Sequence, residues 1–411
     1  MIEELFKLSQ NFINIYNREY KRYFLKVNPL TNRFSIITGQ RGVGKTTAMI
    51  QYILSSYNND IFTDKAIYVQ ADHFLVGKYS LYEIAEQFYK LGGELLCFDE
   101  IHKYSNWSKE LKSINDTFPK LKIIASGSSA LEIYKGTHDL SRRAVVFKMA
   151  GLSFREFIEI TTESELQSYG LEEITKNHQK ISAKAITMLE QKNRKVLALF
   201  KEYLSYGYYP YFKEYADKNI FRLTLEQNIH TTLESDLMLI HPSLNGNSIK
   251  KIKRLLSIIA SSVPFTPDLK NLKNILDIGD ERTLKIYLKY LEDAGIIMSI
   301  SKGKGGLREL EKPEKIYLNN PNLIHAITDY KTANIGNIRE TFFLNMLNTS
   351  HKVSIPSKGD FLIDNKNIFE IGGKNKNFDQ IKNLKDSFLV LDDTETGFKN
   401  KIPLWLFGFL Y

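Results

Sequence analysis

Gly39, Gly44, Lys45 and Thr46 stand in the stretch TGQRGVGKTT at the spacing G-x-x-x-x-G-K-[ST], directly behind the apolar run FSIIT (34–38). Glycines at such positions let backbone N–H groups turn inward around an anion. A helix starting at the lysine adds its dipole, and the lysine adds a point charge. Residues Gly39, Gln40, Arg41, Gly42, Val43, Gly44, Lys45, Thr46 and Thr47 therefore read as a cradle for the phosphates of a nucleotide. Kinases, switches and motors all use such a cradle, so other residues must say what the nucleotide is for.

The run LLCFDEIH supplies them. Leu95 to Phe98 are apolar and lead into Asp99 and Glu100, at the strand end where an open α/β sheet binds its ligands. Asp99 is expected to hold Mg2+ together with the Thr46 hydroxyl, and Glu100 to polarise a water for attack on the γ-phosphate. Lys45 neutralises phosphate charge. An acidic pair with glutamate second favours ATP hydrolysis over phosphoryl transfer to a substrate. The next apolar run ends in SGSS, which puts Ser126 or Ser128 near the γ-phosphate or the attacking water, or in a plain Gly-Ser turn. Arg142 and Arg143, in LSRRAVVF, lie at the far end of a domain-sized helix. They read either as a source of positive charge for a neighbouring subunit's nucleotide or as a solvated pair.

These residues need a scaffold, and the pattern of apolar runs provides one. FSIIT, AIYVQ, ELLCFDE, LKIIASG and AVVFKM alternate with helical stretches, which predicts a parallel sheet covered on both faces. The expected organisation is an N-terminal helical segment (1–30), an α/β nucleotide-binding core (31–150) and a helical lid (151–240). Over 241–328, helix, helix and the basic hairpin SKGKGGLRELEKPEKIYL follow in the order of a winged helix. Arg282, Lys285 and Lys289 on its reading helix, and Lys302, Lys304 and Arg308 on its wing, would contact DNA phosphates, positioning the protein without specifying sequence. Protein docking is the other use of such a module.

Composition narrows the setting. A chain of 411 residues exceeds one average core, and 43% hydrophobic with 25% charged residues is ordinary for a soluble globular protein. No apolar run reaches the length of a membrane span, and MIEELFKLSQ is acidic and amphipathic rather than signal-like. The single cysteine, Cys97, falls inside an apolar strand, which fits a reducing cytoplasm. Net charge of +9 favours a polyanionic partner without proving one. The eight histidines do not cluster at metal-ligand spacing, and His102 reads as a supporting group behind the acidic pair.

A last α/β unit, 329–411, carries the helix RETFFLNML and the strands GDFLID, NIFEIGG, SFLVLDD and PLWLFGFL. Glu340, Asp360, Glu370 and Lys374 follow the order of elements of PD-(D/E)XK nucleases, which this unit resembles. In that superfamily carboxylates hold Mg2+ and a lysine assists the attacking water. The spacing departs from the pattern: the position two after Glu370 is Gly372, and Lys374 comes two residues late, roughly 7 Å further along an extended strand. The unit is therefore expected to be degenerate, binding nucleic acid or a partner without cutting, with an ATP-regulated nuclease as the alternative.

Taken together, GQRGVGKTT, LLCFDEIHKYSNWSKELKSI, IIASGSSALEI, SRRAVVFKMAGLSFREF and LFKEYLSYGYYPYF resemble the bacterial and archaeal AAA-type ATPases that carry a C-terminal domain of unknown function. In that family DEI…W, GSS and LSFREF recur after the third, fourth and fifth strands. YLEDAGII and KIYLNNPNLIHAI resemble its winged-helix region. The resemblance runs from about residue 30 to the C-terminus. It implies an AAA fold with ATP and Mg2+, and Lys45, Thr46, Asp99 and Glu100 in the roles above. It also implies Ser126 or Ser128 as sensor, and Arg142 or Arg143 as finger within a homo-oligomer. It names no physiological substrate.

Overall fold

The computed structural model describes residues 2–127, 140, 142–262, 264–301, 313–328 and 334–411; Ser128, Lys302, Lys304 and Arg308 lie outside them. The chain divides into two compact units, Met1–Gly151 and Leu152–Tyr411.

In the first unit, β1 (Phe34–Thr38), β2 (Ala66–Gln70), β3 (Leu95–Asp99), β4 (Lys122–Gly127) and β5 (Val145–Lys148) form one sheet. The order is β2-β3-β4-β1-β5, and the pairings are parallel. All five apolar runs of the sequence have become these strands. β1 and β3 are buried along their whole length, as strands must be when helices cover both faces. Phe34, Ile36, Ile67, Leu96, Phe98 and Ile123 form the centre of the core. The helices Lys45–Ser56, Leu81–Lys90 and Trp107–Thr117 connect the strands, and a capping box of Ser80 and Glu83 fixes the start of the second. Burial pushes the Cys97 thiol well above its ordinary range, so it is an inert part of this core.

The strand order matters for function. β4 lies between β1 and β3, so the loop after β1 and the acidic end of β3 are two strand spacings apart, about 10 Å. Ser126, near the end of β4, stands in that gap.

The second unit begins with the helices Phe154–Thr162, Leu171–Gln191, Val196–Glu202 and Lys218–Thr231. The segment YLSYGYYPYF is packing: Tyr203, Tyr208 and Tyr209 are buried, and Tyr203 meets the rings of Phe154 and Phe157. Three helices, Gly246–Ser261, Leu269–Ile275 and Glu281–Asp293, lead into the antiparallel pair β6 (Ile297–Ile300) and β7 (Lys315–Leu318), with Phe265 bridging to Ile316. A second sheet follows, β8 (Val353–Ser354), β9 (Phe361–Ile363), β10 (Asn367–Gly372), β11 (Ser387–Leu391) and β12 (Lys401–Pro403), in the order β12-β11-β10-β9-β8. It is parallel from β10 to β12 and antiparallel from β8 to β10.

One element differs from its expected form. PLWLFGFL is not a strand: β12 is the short piece before it, and Leu404–Phe409 is a 3-10 helix. A continuous apolar run does not by its period distinguish a buried strand from a buried helical turn. Here Trp405, Phe407 and Phe409 turn to different sides and reach Phe154, Phe343 and Phe369, which a strand's two faces would not allow. Among the described residues no helix is long and apolar enough to cross a membrane.

Candidate active site

β1 ends at Thr38 and the chain turns through residues 39–44 into the helix Lys45–Ser56. Gly39 runs so close to the segment after β5 that a Cβ there would lie 2.4 Å from Met149 O. Gly44 caps the helix at φ 99°, a left-handed conformation that glycine adopts without strain. Arg22, 5% exposed, ties the loop from behind, donating to Val43 O (2.5 Å), Ala150 O (2.9 Å) and Gly151 O (2.7 Å). The Lys45 ammonium donates to Gly39 O and Gln40 O, each at 3.0 Å, which holds it inside the loop within reach of an anion seated there. The first N–H groups of the helix have no partner within the helix. Arg41 Nη1 is buried without a hydrogen-bond partner. An orphaned cationic donor on an anion-binding loop is what a phosphate oxygen would satisfy.

Asp99, 1% exposed, is the best-connected acid of the unit. Its Oδ2 accepts from Thr46 Oγ1 (2.5 Å) and from the Tyr68 hydroxyl (2.6 Å). Its Oδ1 accepts from the Glu100 N–H (3.0 Å) and from the Ser126 hydroxyl. Four donors compensate a buried carboxylate that would otherwise be costly to desolvate. Ser126 Oγ also lies 3.3 Å from the Glu100 N–H, so the residue links the two acids. Tyr68 was not singled out from sequence. The one signal was a polar handle in the middle of the buried strand AIYVQ. Burial and the charge of Asp99 push its hydroxyl far above the tyrosine range, which makes it a permanent donor.

Glu100 leaves the strand with φ 51°, a conformation costing roughly 1 kcal/mol or more for a non-glycine residue. The turn carries its side chain toward Lys103 and His102, with Oε2 at 3.5 Å from Lys103 Nζ and 3.8 Å from His102 Nε2. Oε2 itself is buried and has no hydrogen-bond donor, which leaves a lone pair for a water. Lys103 is held at 2.6 Å by Asp72. Burial works against the Lys103 charge, but Asp72 and Glu100 outweigh it and keep its pKa above the ordinary range.

Arg142 is exposed, and Arg143 pairs with Asp116 through two nitrogens at 2.7 and 2.8 Å. Both precede β5, whose Val145 lies beside Ser35 and whose Lys148 lies beside Thr38. They therefore lie toward the opposite end of the strands from the loop, roughly 15–20 Å away by strand rise. Neither reaches a phosphate in the chain's own loop.

In the second unit, Glu340, Asp360 and Glu370 come from the helix Ile335–Leu347, the turn before β9, and β10. Glu340 Oε2 accepts from the Tyr317 hydroxyl at 2.7 Å and lies 3.9 Å from Lys315 Nζ. Asp360 Oδ2 accepts from the Ile371 N–H at 2.8 Å. Burial and then the charge of Asp360 raise the pKa of Glu340, with Glu370 adding to the effect. The lysine against Glu370 is Lys376, at 2.6 Å, and not Lys374, which is exposed. On the helix Glu281–Asp293, Arg282 is exposed, Lys285 is half-buried and Lys289 pairs with Asp293 at 3.0 Å. Among the described residues no group of three His, Cys, Asp or Glu side chains is already arranged to hold a metal ion.

Residues 31–158 match a family model described as an AAA domain, and residues 197–334 match one described as a domain of unknown function, DUF8612. The chain is 25% identical over 325 residues to the uncharacterized protein MJ1637 of Methanocaldococcus jannaschii, covering 73% of this chain and 65% of that protein, so it spans less than two thirds of that relative. To the uncharacterized protein MJ1544 of the same organism it is 23% identical over 434 residues, covering 94% of this chain and 90% of the other. Among solved structures, the Walker-type ATPase PABY2304 of Pyrococcus abyssi aligns at TM-score 0.43 and 13% identity, covering 76% of this chain and 96% of that one. The parallel five-stranded sheet of the first unit fits a P-loop ATPase domain, in the region that the AAA domain model matches.

Proposed function

We propose that the chain is a cytoplasmic, Mg2+-dependent ATPase whose nucleotide state governs how its second unit engages DNA. The observation that carries the ATPase reading is the meeting of Thr46, Ser126 and Asp99, which joins the phosphate loop to the acidic strand end across the intervening strand. Lys45, Arg41 and the loop amides bind the phosphates, and Thr46 and Asp99 are the residues that would hold Mg2+. When bound, the metal would supply positive charge against the phosphates. Glu100 orients a water and takes its proton, with Lys103 and His102 fixing the carboxylate. Ser126, bonded to Asp99 and close to the Glu100 amide, couples the two acids and acts as sensor. Tyr68 keeps Asp99 in place.

DNA as the partner is supported by the net charge of +9 and by the exposed Arg282 and half-buried Lys285 on a helix that runs into a hairpin. We read the 241–328 segment as a winged helix making mainly phosphate contacts, so binding should be weakly sequence-dependent and strongly salt-dependent. With duplex DNA added at low salt, the ATP turnover of the full chain is expected to rise several-fold, and the increase to vanish by about 0.3 M salt. A rate that DNA leaves unchanged would favour a slow switch that docks a protein.

Because Arg142 and Arg143 cannot serve their own loop, the finger role requires a second copy of the chain. A non-hydrolysable ATP analogue should then increase the particle mass in light scattering. Replacing both arginines with alanine should cut turnover by about 1,000-fold or more while ATP affinity changes little. A monomer at every nucleotide state, with turnover unaffected by the double replacement, would remove them from the mechanism.

A further inference from the structure

The helix Ile2–Tyr16 lies ahead of the stretch 31–158 that the AAA domain model matches, yet it packs onto β2 of the nucleotide-binding sheet. Leu5, Ser9 and Ile13 recur every fourth residue and are buried, so they form the face that the helix turns to the sheet. Ser9 is the polar member of that stripe, and the edge of the sheet explains it. β2 is an edge strand, so the N–H groups on its outer side have no strand to donate to. The Tyr68 N–H is one of them, and Ser9 Oγ accepts it at 2.9 Å. Three residues further along the helix, the ring of Phe12 meets the ring of Tyr68 close to edge-on, with centroids 5.7 Å apart at 66°.

Tyr68 is thus held from the helix at its backbone and at its ring. Its hydroxyl donates to Asp99 Oδ2, the same oxygen that accepts from Thr46. The ring is rigid and buried, so the place of the hydroxyl follows from where backbone and ring are held. The chain after the helix grips the other half of the site. Gln51, on the helix that starts at Lys45, donates to Arg18 O (2.7 Å) and Tyr20 O (2.8 Å), and Arg22 donates to Val43 O in the phosphate loop. One N-terminal stretch therefore supports the acidic strand end at its start and the phosphate loop at its end.

We propose that the helix Ile2–Tyr16 is a positioning element of the ATP site: through Ser9, Phe12 and Tyr68 it fixes Asp99 and so sets how strongly the site takes Mg2+ with ATP, an inference that rests on Thr46 and Asp99 being the Mg2+ residues. A group that hydrogen-bonds a metal-ligating carboxylate orients it, and removing such a group costs about 10- to 100-fold in metal affinity. Ser9 and Phe12 act only through Tyr68. Loosening Tyr68 leaves the Lys45 ammonium held by Gly39 O and Gln40 O, so metal affinity and phosphate affinity separate.

The test measures binding of a labelled non-hydrolysable ATP analogue to the full chain, first in excess chelator and then across a Mg2+ titration. Tyr68→Phe removes only the hydroxyl. It should bind the analogue as the parent does in chelator, and should need about 10-fold or more Mg2+ for the half-maximal response. Phe12→Leu, which keeps apolar bulk and loses the ring, should shift the response in the same direction, whereas Phe12→Tyr, which keeps the ring, should not. The decisive variant combines Phe12→Leu with Tyr68→Phe: a helix that acts through the hydroxyl shifts the response no further than Tyr68→Phe alone. Shifts that add, or a response in Tyr68→Phe and Phe12→Leu equal to the parent's, would overturn the proposal. Thr46→Ala tells its failure from failure of the Mg2+ reading. No response in the parent, or one that survives Thr46→Ala, removes that reading and the proposal with it. A response lost in Thr46→Ala but untouched by Tyr68→Phe removes the proposal alone.

Discussion

Glu100→Gln should leave nucleotide binding intact and lower ATP turnover by about 100-fold or more, the range expected when a positioned general base is lost. The substitution is nearly isosteric. It keeps a side chain that Lys103 and His102 can hold at their 3.5 and 3.8 Å separations, but removes the lone pair able to take a proton from water. The left-handed backbone of residue 100 is set by the hydrogen bonds of its N–H to Asp99 and Ser126, which do not depend on the side chain. A fall in turnover therefore cannot be assigned to a collapsed strand end. Equal rates for the variant and the parent would take Glu100 out of the chemistry while leaving the phosphate loop untouched.

Lys45→Ala should abolish tight binding of ATP, lowering affinity by about 100-fold or more. Hydrogen bonds to charged groups contribute on the order of 1.5–3 kcal/mol each, and tenfold in affinity corresponds to about 1.4 kcal/mol, so two bonds to phosphate reach that loss. The ammonium is already positioned by Gly39 O and Gln40 O, so little is spent on ordering it when phosphate arrives. Fluorescence titration with a labelled ATP analogue measures the effect. An unchanged dissociation constant would mean that nucleotide binds elsewhere.

How much of this was legible in the sequence depends on whether neighbours in space are neighbours along the chain. The phosphate loop was, because residues 39–47 are contiguous and their glycines are required by local geometry. Asp99 and Glu100 were, because two acids at the end of an apolar strand mark the end of the sheet where ligands bind. Arg22, Tyr68 and the Asp72–Lys103 pair were not. Arg22 reaches Ala150 and Gly151 across 128 and 129 positions, and Tyr68 reaches Asp99 through a hydrogen bond that only the strand order creates. Lys376 was hidden for another reason: reading β10 as a regular strand counted positions along it and could not see a turn folding a later lysine back over Gly372. The 3-10 helix at Leu404–Phe409 escaped because an unbroken apolar run has no period to read.

The central claim is that the joined loop and acidic strand end hydrolyse ATP with Mg2+, and the most direct measurement is phosphate release from ATP by the purified full chain with and without excess chelator. We expect release that requires Mg2+, stops when the metal is chelated, resumes when it is restored, and is absent from Lys45→Ala under all three conditions. Release that continued in chelator, or that survived in Lys45→Ala, would contradict the account.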